Sequence, residues 1–282
     1  MKKREFTKEE IEKVIYNYTV LNMGQRRAGA EFHMSDNTVK RLLLENGVKI
    51  KSIQETNISK YKINHDYFST QGHNQAYIIG FLGADGNISA KDNRIDLELF
   101  SLDKEILEKI REELGLERPI KVYECASGYV KNKLYFYSAK IKQDLMKFGL
   151  VPNKTYSSDY KFPYILEKQY VIDYIRGLFD GDGSVKDANG TICFQIDSSN
   201  KQILIEIQQF LKNNYNIEMQ LTSNQKTNIV LYRLYCYGEN SRKIYSILYT
   251  PNSLFLQRKY NKWQELLKRY NFPREFGSSD EE

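Results

Sequence analysis

One segment of this sequence occurs twice. Residues 77–89 read YIIGFLGADGNIS, and residues 174–185 read YIRGLFDGDGSV. An offset of 97 residues relates Asp85 to Asp182, and the same offset relates Ser101 to Ser198. One apolar run that ends in Asp-Gly is a common helix-ending turn, but two copies with matching flanks indicate a duplicated structural unit. The sequence therefore predicts two similar halves joined in tandem.

The residues after each copy predict the same order of elements. A turn signal, a strand and an amphipathic helix follow in both halves, and two further strand candidates begin at Ile120 and at Ile217. The apolar positions that alternate along the two matching strands are Ile95, Leu97 and Leu99, and Ile192, Phe194 and Ile196. Each half is predicted to be αββαββα, which gives an α+β fold with a pseudo-twofold axis between the halves.

Each repeated segment is predicted to form a helix with a smooth side. Gly80 and Ala84 in the first copy, and Gly177 and Gly181 in the second, are four residues apart and so share one side of a helix. These sides carry no bulky side chain, so two such helices can approach almost backbone to backbone. We therefore predict that the two motif helices pack against each other across the pseudo-twofold axis.

This packing also predicts the position of the chemistry. Gly86 and Gly183 suit the left-handed conformation that ends a helix, which leaves Asp85 and Asp182 at two adjoining helix C-termini. Mutual repulsion and the two helix dipoles oppose ionisation there, which favours a cation between the carboxylates. Oxygen ligands with room for water suit Mg²⁺ (or Mn²⁺), and a metal-bound water beside acidic groups can hydrolyse a phosphodiester.

The N-terminal 50 residues predict a separate all-helical domain. An amphipathic helix is followed by a short helix over Gln25–Phe32, a turn at His33 and a further helix capped by Ser35. Gly29 supplies the small residue where these last two helices cross. The arrangement resembles a helix-turn-helix, whose second helix enters the major groove of DNA. A generic three-helix bundle is the alternative.

The charge distribution suggests a polyanionic partner for this domain. Residues 1–62 carry 13 Lys or Arg against 8 Asp or Glu, which accounts for most of the net charge of +6. A solvated surface is the alternative explanation of such a surplus. The helix-turn-helix interpretation predicts phosphate or base contacts from Arg26, Arg27, Asp36, Asn37, Thr38, Lys40 and Arg41.

The domain boundaries follow from these patterns. We predict a helix-turn-helix domain over 1–50, a polar linker over 51–74, a first half over 75–160, a second half over 161–272 and a disordered acidic tail over 273–282. No apolar run approaches the roughly 20 residues that span a bilayer. We therefore expect no membrane partner and a soluble protein inside the cell, in the cytoplasm, an organelle or a phage-infected cell.

The three cysteines give no evidence of a metal or disulfide framework. Cys125, Cys193 and Cys236 lie far apart and form no Cys-x-x-Cys pair. Neither a zinc knuckle nor a set of disulfide bonds is indicated.

The two repeated segments resemble the signature motifs of a LAGLIDADG homing endonuclease of the single-chain, two-motif type, and the resemblance covers residues 76–270. It implies that four-stranded sheets form a saddle over double-stranded DNA. It also implies that a monomer cuts both strands across the minor groove, with a divalent metal shared by the motif aspartates. Carried over onto this sequence, those aspartates are Asp85 and Asp182, and the backbone carbonyls of Ala84 and Gly181 assist them.

The resemblance further implies a lysine late in each half, near a metal-bound water. Lys154 and Lys259 are the candidates, and Arg258 is the rival of Lys259. Gly83 stands in the first motif where Asp180 stands in the second, but that position is not the family's metal ligand. DNA contacts are expected from the polar strand faces at Asn87, Ser89, Lys91, Arg94 and Lys133, and at Ser184, Lys186, Gln195, Lys226 and Arg233.

Two other functions use the same scaffold. A maturase binds a group I intron RNA without cutting, and a transcription regulator can combine a helix-turn-helix with a degenerate LAGLIDADG core. The presence of both Asp85 and Asp182 argues against the regulator, whose metal site need not survive, and leaves a bifunctional maturase open. An intein is disfavoured because no splicing blocks surround the core.

Overall fold

The computed structural model describes residues 6–21, 23–51, 61–225, 230–251 and 253–270. The chain forms two compact units that divide between Lys62 and Ile63. The predicted acidic tail and Lys226 lie outside the described residues. Over the described part of the chain, no helix has both the length and the apolar character needed to cross a membrane.

Over residues 6–21 and 23–51, the N-terminal unit contains three α-helices around a small core. They are α1 (Lys8–Thr19), α2 (Gln25–Ala28) and α3 (Asp36–Glu45). Thr7 and Glu10 cap α1 reciprocally, because the Glu10 N–H donates to Thr7 Oγ1 at 3.2 Å and the Thr7 N–H donates to Glu10 Oε2 at 2.9 Å. The buried core residues are Val14, Tyr18, Ala28, Met34, Val39, Leu42 and Leu43.

The turn between the last two helices has the predicted features. The helix expected over Gln25–Phe32 is divided at Gly29 into α2 and one 3-10 turn. A Cβ atom on Gly29 would lie 2.4 Å from Val39 Cγ2, so the helices do cross closely at a glycine. His33 is left-handed, with φ of 54°, and Ser35 Oγ accepts from the Thr38 N–H at 3.2 Å.

The C-terminal unit consists of two halves with the predicted order of elements. The first half contains α4 (His73–Asp85), β1 (Gly86–Ile88), β2 (Arg94–Phe100), α5 (Lys104–Glu113), β3 (Lys121–Glu124), β4 (Val130–Tyr137) and α6 (Ala139–Lys147). The second half contains α7 (Val171–Asp182), β5 (Gly183–Asp187), β6 (Ile192–Ser198), α8 (Lys201–Tyr215), β7 (Gln220–Gln225), β8 (Val230–Tyr237) and α9 (Gly238–Leu248), followed by α10 (Gln257–Arg269). The two antiparallel sheets have the orders β1-β2-β4-β3 and β5-β6-β8-β7. The α+β fold with two αββαββα halves is thus confirmed.

The offset between the halves is not constant along the chain. Gly86 pairs with Leu97 and Gly183 pairs with Ile196, so the offset is 97 in the first strands and 99 in the second strands. A 3-10 turn over Ser101–Asp103 then adds two residues to the first half before α5. The offset therefore returns to 97 at the next pair of helices, which begin at Lys104 and Lys201. Ser101 and Ser198 share the sequence offset but therefore occupy different structural positions. The β5-β6 hairpin is the reason, because it is two residues longer than its counterpart.

The alternating apolar residues of the central strands are buried as predicted. The buried positions are Ile95, Leu97, Leu99, Ile192, Phe194 and Ile196. Two polar residues on the opposite face, Asp96 and Gln195, are also buried. The polar faces of the sheets are therefore less exposed than the alternation of polar and apolar residues suggests.

The predicted linker is too long at its C-terminal end. The C-terminal unit begins at Ile63, and Tyr67 and Phe68 are buried within it. The Tyr67 hydroxyl donates to Glu113 Oε2 at 2.8 Å, which fixes this segment to α5. The sequence predicted a linker here because most residues around Tyr67 and Phe68 are polar.

Candidate active site

The motif helices α4 and α7 are in backbone contact through their glycines, as predicted. A Cβ atom on Gly80 would lie 2.0 Å from the carbonyl oxygen of Tyr174, and one on Gly177 would lie 2.1 Å from the carbonyl oxygen of Tyr77. Both distances are below the 3.0 Å that real Cβ atoms keep. The helices therefore cannot approach this closely with any other residue at these two positions.

Each motif helix ends at its aspartate and continues directly into the first strand of its half. The prediction of left-handed helix ends is wrong, because Gly86 has φ of −77° and Gly183 has φ of −91°, both extended. Glycine is needed there for a different reason. A Cβ atom on Gly86 would lie 2.6 Å from the Leu82 carbonyl oxygen, and one on Gly183 would lie 2.3 Å from Phe179 Cδ2.

Asp85 and Asp182 are brought to the same place by the helix contact. Asp85 Oδ2 lies 3.2 Å from the position that a Cβ atom would take on Gly181, the residue before Asp182. Both side chains are exposed, but the packed helices beneath them remove part of their hydration. This desolvation, and then the charge of Asp85, raise the pKa of Asp182 to about 6, and desolvation also raises the pKa of Asp85. The pair therefore resists full ionisation unless a cation binds between the carboxylates.

One lysine from late in each half reaches the motif backbone at an equivalent position. Lys154 Nζ donates to the carbonyl oxygen of Gly86. Lys259 Nζ donates to the carbonyl oxygen of Gly183 at 2.6 Å. Gly86 and Gly183 are counterparts in the repeat, and each directly follows a motif aspartate. The site thus contains two aspartate-lysine sets related by the pseudo-twofold axis.

Burial and the neighbouring carboxylates act in opposite directions on these lysines. Burial lowers the pKa of Lys259 to about 8, while Asp180, Asp85 and Asp182 act to raise it. Burial also lowers the pKa of Lys154, against the attraction of the same two motif aspartates. Both ammonium groups are therefore easier to deprotonate than an ordinary lysine, although each lies beside negative charge.

Arg258 is held away from the motif backbone. Its Nε donates to Asp103 Oδ1 at 3.1 Å and its Nη2 donates to Asp103 Oδ2 at 3.0 Å. This bidentate ion pair joins the two halves beside the site. The geometry therefore favours Lys259 over Arg258 as the second-half lysine counterpart.

Asp85 and Asp182 are the two side chains of this site that could hold a divalent cation. One of the two predicted carbonyl ligands, Gly181, accepts from Lys259 Nζ at 3.1 Å and so already contacts a cation. No described contact shows whether the Ala84 carbonyl oxygen could also bind a metal. Among the described residues, no group of three or more His, Cys, Asp or Glu side chains could hold a metal ion. Two exposed carboxylates nevertheless fit Mg²⁺, which keeps several waters and commonly takes its remaining ligands from substrate phosphates.

Three of the five predicted DNA contacts of the first half share one buried acidic residue. Lys133 Nζ lies 2.8 Å from Asp96 Oδ1 and 3.1 Å from Glu98 Oε2. Arg94 Nε and Asn87 Nδ2 donate to Asp96 Oδ2 at 3.2 and 3.1 Å. Asp96 is the centre of this network, and the sequence interpretation did not name it. Its alternation with Arg94 and Glu98 was the signal that could have identified it.

A similar pair lies on the second sheet. Arg233 Nε and Nη2 donate to Asp197 Oδ1 and Oδ2 at 2.7 and 2.8 Å. Gln195 is buried, and its Nε2 donates to Asp197 Oδ2 at 3.3 Å. Asp197 thus holds two of the predicted DNA-contacting side chains in the described structure.

The remaining predicted contacts lie on the first strand of each sheet or in a hairpin turn. Ser89 Oγ accepts from the Lys91 N–H at 3.3 Å, so Ser89 stabilises its turn. Lys91 and Lys186 are exposed, and Ser184 is half-buried on β5. These two exposed lysines are accessible to a polyanion.

In the N-terminal unit, most of the predicted DNA contacts are on the surface. Thr38 is half-buried, and its hydroxyl oxygen lies 2.9 Å from Ser35 Oγ, so it helps to cap α3. Arg41 Nη1 donates to Glu45 Oε1 at 3.0 Å. The other predicted contacts of this unit are all exposed: Arg26, Arg27, Asp36, Asn37 and Lys40.

Two αββαββα halves that meet through glycine-faced helices, each ending in an aspartate, define a LAGLIDADG-type core. The comparisons agree with this class. A family model described as the LAGLIDADG-like domain matches residues 169–249, and one described as the WhiA LAGLIDADG-like domain matches residues 74–140. Both halves are therefore matched, and the chain belongs to the LAGLIDADG family.

Individual relatives are distant. The chain is 28% identical over 132 residues to the DNA-directed RNA polymerase subunit Rpo1C of Methanocaldococcus jannaschii, a match that covers 45% of this chain but only 14% of that protein. Full-length DUF199/WhiA from Thermatoga maritima aligns at 15% identity and a TM-score of 0.44, over 77% of this chain and 67% of that chain. The I-LtrWI LAGLIDADG homing endonuclease bound to target DNA aligns at 15% identity and a TM-score of 0.48, over 74% of this chain and 91% of that chain.

Proposed function

We propose that this protein is a site-specific homing endonuclease that hydrolyses phosphodiesters in both strands of a long, asymmetric duplex DNA target and depends on Mg²⁺ or Mn²⁺. The observation that carries the proposal is the pair of aspartate-lysine sets. Asp85 with Lys154, and Asp182 with Lys259, occupy equivalent places about one pseudo-twofold axis. Duplex DNA presents two antiparallel backbones related by a local twofold axis, so each set can serve one strand.

The side chains of each set have separate tasks in this proposal. A divalent cation, when bound, supplies Lewis-acid stabilisation of a phosphate and a more acidic water. Asp85 and Asp182 hold that cation, and its charge offsets the desolvation that raises the pKa values of both carboxyls. Lys259, whose burial lowers its pKa to about 8, can exchange a proton near neutral pH at the edge of the site. Lys154 has the equivalent position for the other strand.

The sheets and the N-terminal unit provide the proposed DNA-binding surfaces. Asp96 and Asp197 hold Arg94, Lys133 and Arg233 in ion pairs, so DNA binding exchanges a carboxylate partner for a phosphate or a base edge. This exchange weakens binding to arbitrary DNA sequences. It favours a target whose phosphates and base edges replace the carboxylate partners well. The helix-turn-helix unit adds contacts that have no counterpart in the second half, which makes the target asymmetric. A monomer suffices, because one chain contains both sets.

A DNA-binding regulator that does not cut is the second candidate. The match of residues 74–140 to the WhiA LAGLIDADG-like domain favours it, together with the helix-turn-helix unit. The two candidates differ in one measurable respect. A regulator requires only binding to DNA, whereas an endonuclease requires both motif carboxylates and a divalent cation.

The test uses the 282-residue chain and a plasmid library with randomised inserts. Incubation with Mg²⁺ or with Mn²⁺, followed by capture and sequencing of new ends, recovers a cleavable site. On a duplex that contains this site, we expect EDTA to abolish cleavage by the wild type. We expect Asp85→Asn and Asp182→Asn each to slow cleavage by about 100-fold or more, as is typical when one electrostatic group is removed from a preorganised site. DNA affinity should change by less than about threefold.

Asp66→Asn is the matched control, because Asp66 is a surface aspartate of the same unit whose side chain is 77% exposed. It should cut at the wild-type rate. Normal cleavage by both motif variants contradicts the proposed mechanism. Recovery of a specific bound sequence that the wild type does not cut with either metal supports the regulator instead.

A further inference from the structure

The second motif helix carries three buried ionisable side chains that the proposed chemistry does not use. Asp173, Arg176 and Asp180 are 4%, 0% and 1% exposed, respectively. Burying charged groups costs free energy unless each is paired with good geometry. The partners of these side chains therefore indicate what they hold in place.

Arg176 fixes both ends of the segment that joins α9 to α10. Its Nη1 donates to the Leu248 carbonyl oxygen at 2.8 Å, and its Nε donates to the Leu254 carbonyl oxygen at 2.7 Å. Its Nη2 donates to Asp173 Oδ1 at 2.7 Å, which balances the buried charge. One guanidinium thus spans the whole connection, as its rigid fork of donors allows.

Asp180 fixes the start of α10. Asp180 Oδ2 accepts from the backbone N–H of Leu256, the N-cap residue of α10, at 2.7 Å, and from the Tyr77 hydroxyl at 2.9 Å. The N–H of Lys259 donates to the Leu256 carbonyl oxygen at 3.0 Å, so Lys259 lies one helical turn beyond this anchor. We call the contacts of Arg176 and Asp180 with Leu248, Leu254 and Leu256 the α10 clamp.

The α10 clamp determines where Lys259 can reach. Lys259 Nζ donates to the carbonyl oxygens of Phe179, Gly181 and Gly183 at 2.6, 3.1 and 2.6 Å. Asp180 lies within that same stretch of chain. The residue that anchors the helix therefore lies next to the backbone atoms that the lysine of that helix contacts, and a shift of the helix moves Lys259 out of range.

Within residues 75–160, all of which the structure describes, no equivalent clamp is present. The positions that correspond to Asp173, Arg176 and Asp180 at the offset of 97 are Ala76, Ile79 and Gly83. Lys154 lies instead in a single 3-10 turn, Lys154–Tyr156, which follows left-handed Asn153. The two lysines are therefore held in place by different structural elements.

We propose that Arg176 and Asp180 are positioning residues that place Lys259 for cleavage of one DNA strand, so that weakening the α10 clamp leaves an enzyme that cuts mainly the other strand. The inference rests on the proposed endonuclease function. A merely structural role would slow both strands together, because unfolding of the unit removes both sets. The difference between the two strand rates is thus the readout.

The experiment uses the 282-residue chain and a duplex with the recovered site, whose strands carry different fluorophores. Lys259→Met and Lys154→Met first establish which strand depends on each lysine. Asp180→Ala should slow the Lys259-dependent strand by about 10- to 100-fold relative to the other strand, the order of loss expected when a group is displaced by about 1 Å. Asp180→Asn keeps an oxygen acceptor for Leu256 and should recover part of that rate.

Arg176→Lys is the second variant, because it keeps the charge but loses the fork that spans Leu248 and Leu254. It should slow the same strand as Lys259→Met. Equal slowing of both strands, slowing of the Lys154-dependent strand or unchanged rates in Asp180→Ala and Arg176→Lys would each overturn the inference. Failure of the wild type to cut at all would refute the proposed function itself, which keeps the two failures distinct.

Discussion

Replacing Gly177 with alanine should destabilise the C-terminal unit by about 2 kcal/mol. The new Cβ atom would lie 2.1 Å from the Tyr77 carbonyl oxygen and 2.7 Å from the Phe81 backbone nitrogen. Ordinary contact begins at 3.4 Å, so α4 and α7 have to separate by about 1.3 Å, the difference between 3.4 and 2.1 Å. Overpacking of this kind costs about 1–3 kcal/mol, and the obstacles here are backbone atoms that no rotamer change can move. We take the upper end of this range, about 3 kcal/mol. Subtracting about 1 kcal/mol for the better helix propensity of alanine leaves about 2 kcal/mol.

Tryptophan fluorescence during urea unfolding measures this effect. Trp263 is the single tryptophan of the chain, is 0% exposed and belongs to the C-terminal unit, so its emission reports that unit alone. Gly72→Ala is the control, because the nearest atom to its Cβ would be the flexible end of the Gln75 side chain. The control should remain within about 0.5 kcal/mol of the wild type.

The cleavage rate of the Gly177→Ala protein should fall by more than any loss of folded protein explains. The effect should appear even in buffer where the variant remains folded. Separating the helices also separates Asp85 from Asp182, and catalytic geometry tolerates less displacement than folding does. An unfolding midpoint equal to or above that of the wild type would refute the reasoning. It would mean that the backbones of α4 and α7 are not in contact.

The other predictions concern the ionisation of the motif and the N-terminal unit. Desolvation and the charge of Asp85 raise the pKa of Asp182 from 3.8 to about 6, so in EDTA the wild type should lose stability as the pH rises from about 4 to about 6. Asp182→Asn should show a smaller loss, because only Asp85 and Asp180 still have raised pKa values, and should unfold about 2–4 °C higher at pH 7 if solvent screening leaves about 1 kcal/mol of destabilisation; identical pH profiles in thermal unfolding would contradict this. In Gly29→Ala the Cβ atom would lie 2.4 Å from Val39 Cγ2 and 2.8 Å from Met34 Cβ, so the N-terminal unit should lose about 1–3 kcal/mol. Circular dichroism should then show an earlier partial transition while the Trp263 fluorescence transition stays unchanged, and a shift of both transitions would count against two independent units.

The choice between Arg258 and Lys259 could not be made from the sequence. The two residues are neighbours, and about 100° of helical rotation separates their directions. Only the docking of α10 decides that Lys259 faces the motif backbone while Arg258 faces Asp103. The same limit applies to the polar strand faces, because alternation identifies the face but not the acidic residue that organises it.

The expectation of left-handed helix ends was wrong for an instructive reason. Asp-Gly is a common helix-ending turn, so the local pattern favoured a positive φ. In the structure each helix continues directly into a strand, and the glycine is required by the closeness of Leu82 and Phe179. The pattern therefore located the glycines correctly but gave the wrong cause.

The sequence alone determined the duplication, the order of helices and strands, and the pairing of two glycine-faced helices that end in Asp85 and Asp182. These are local properties, since hydrophobic periodicity and small residues at a spacing of four act within one element. The tertiary structure alone decided that Lys154 and Lys259 reach the motif backbone, and that buried Arg176 and Asp180 hold α10. Such contacts join residues about 70 to 80 positions apart in the sequence, and only the packing of whole elements brings them together.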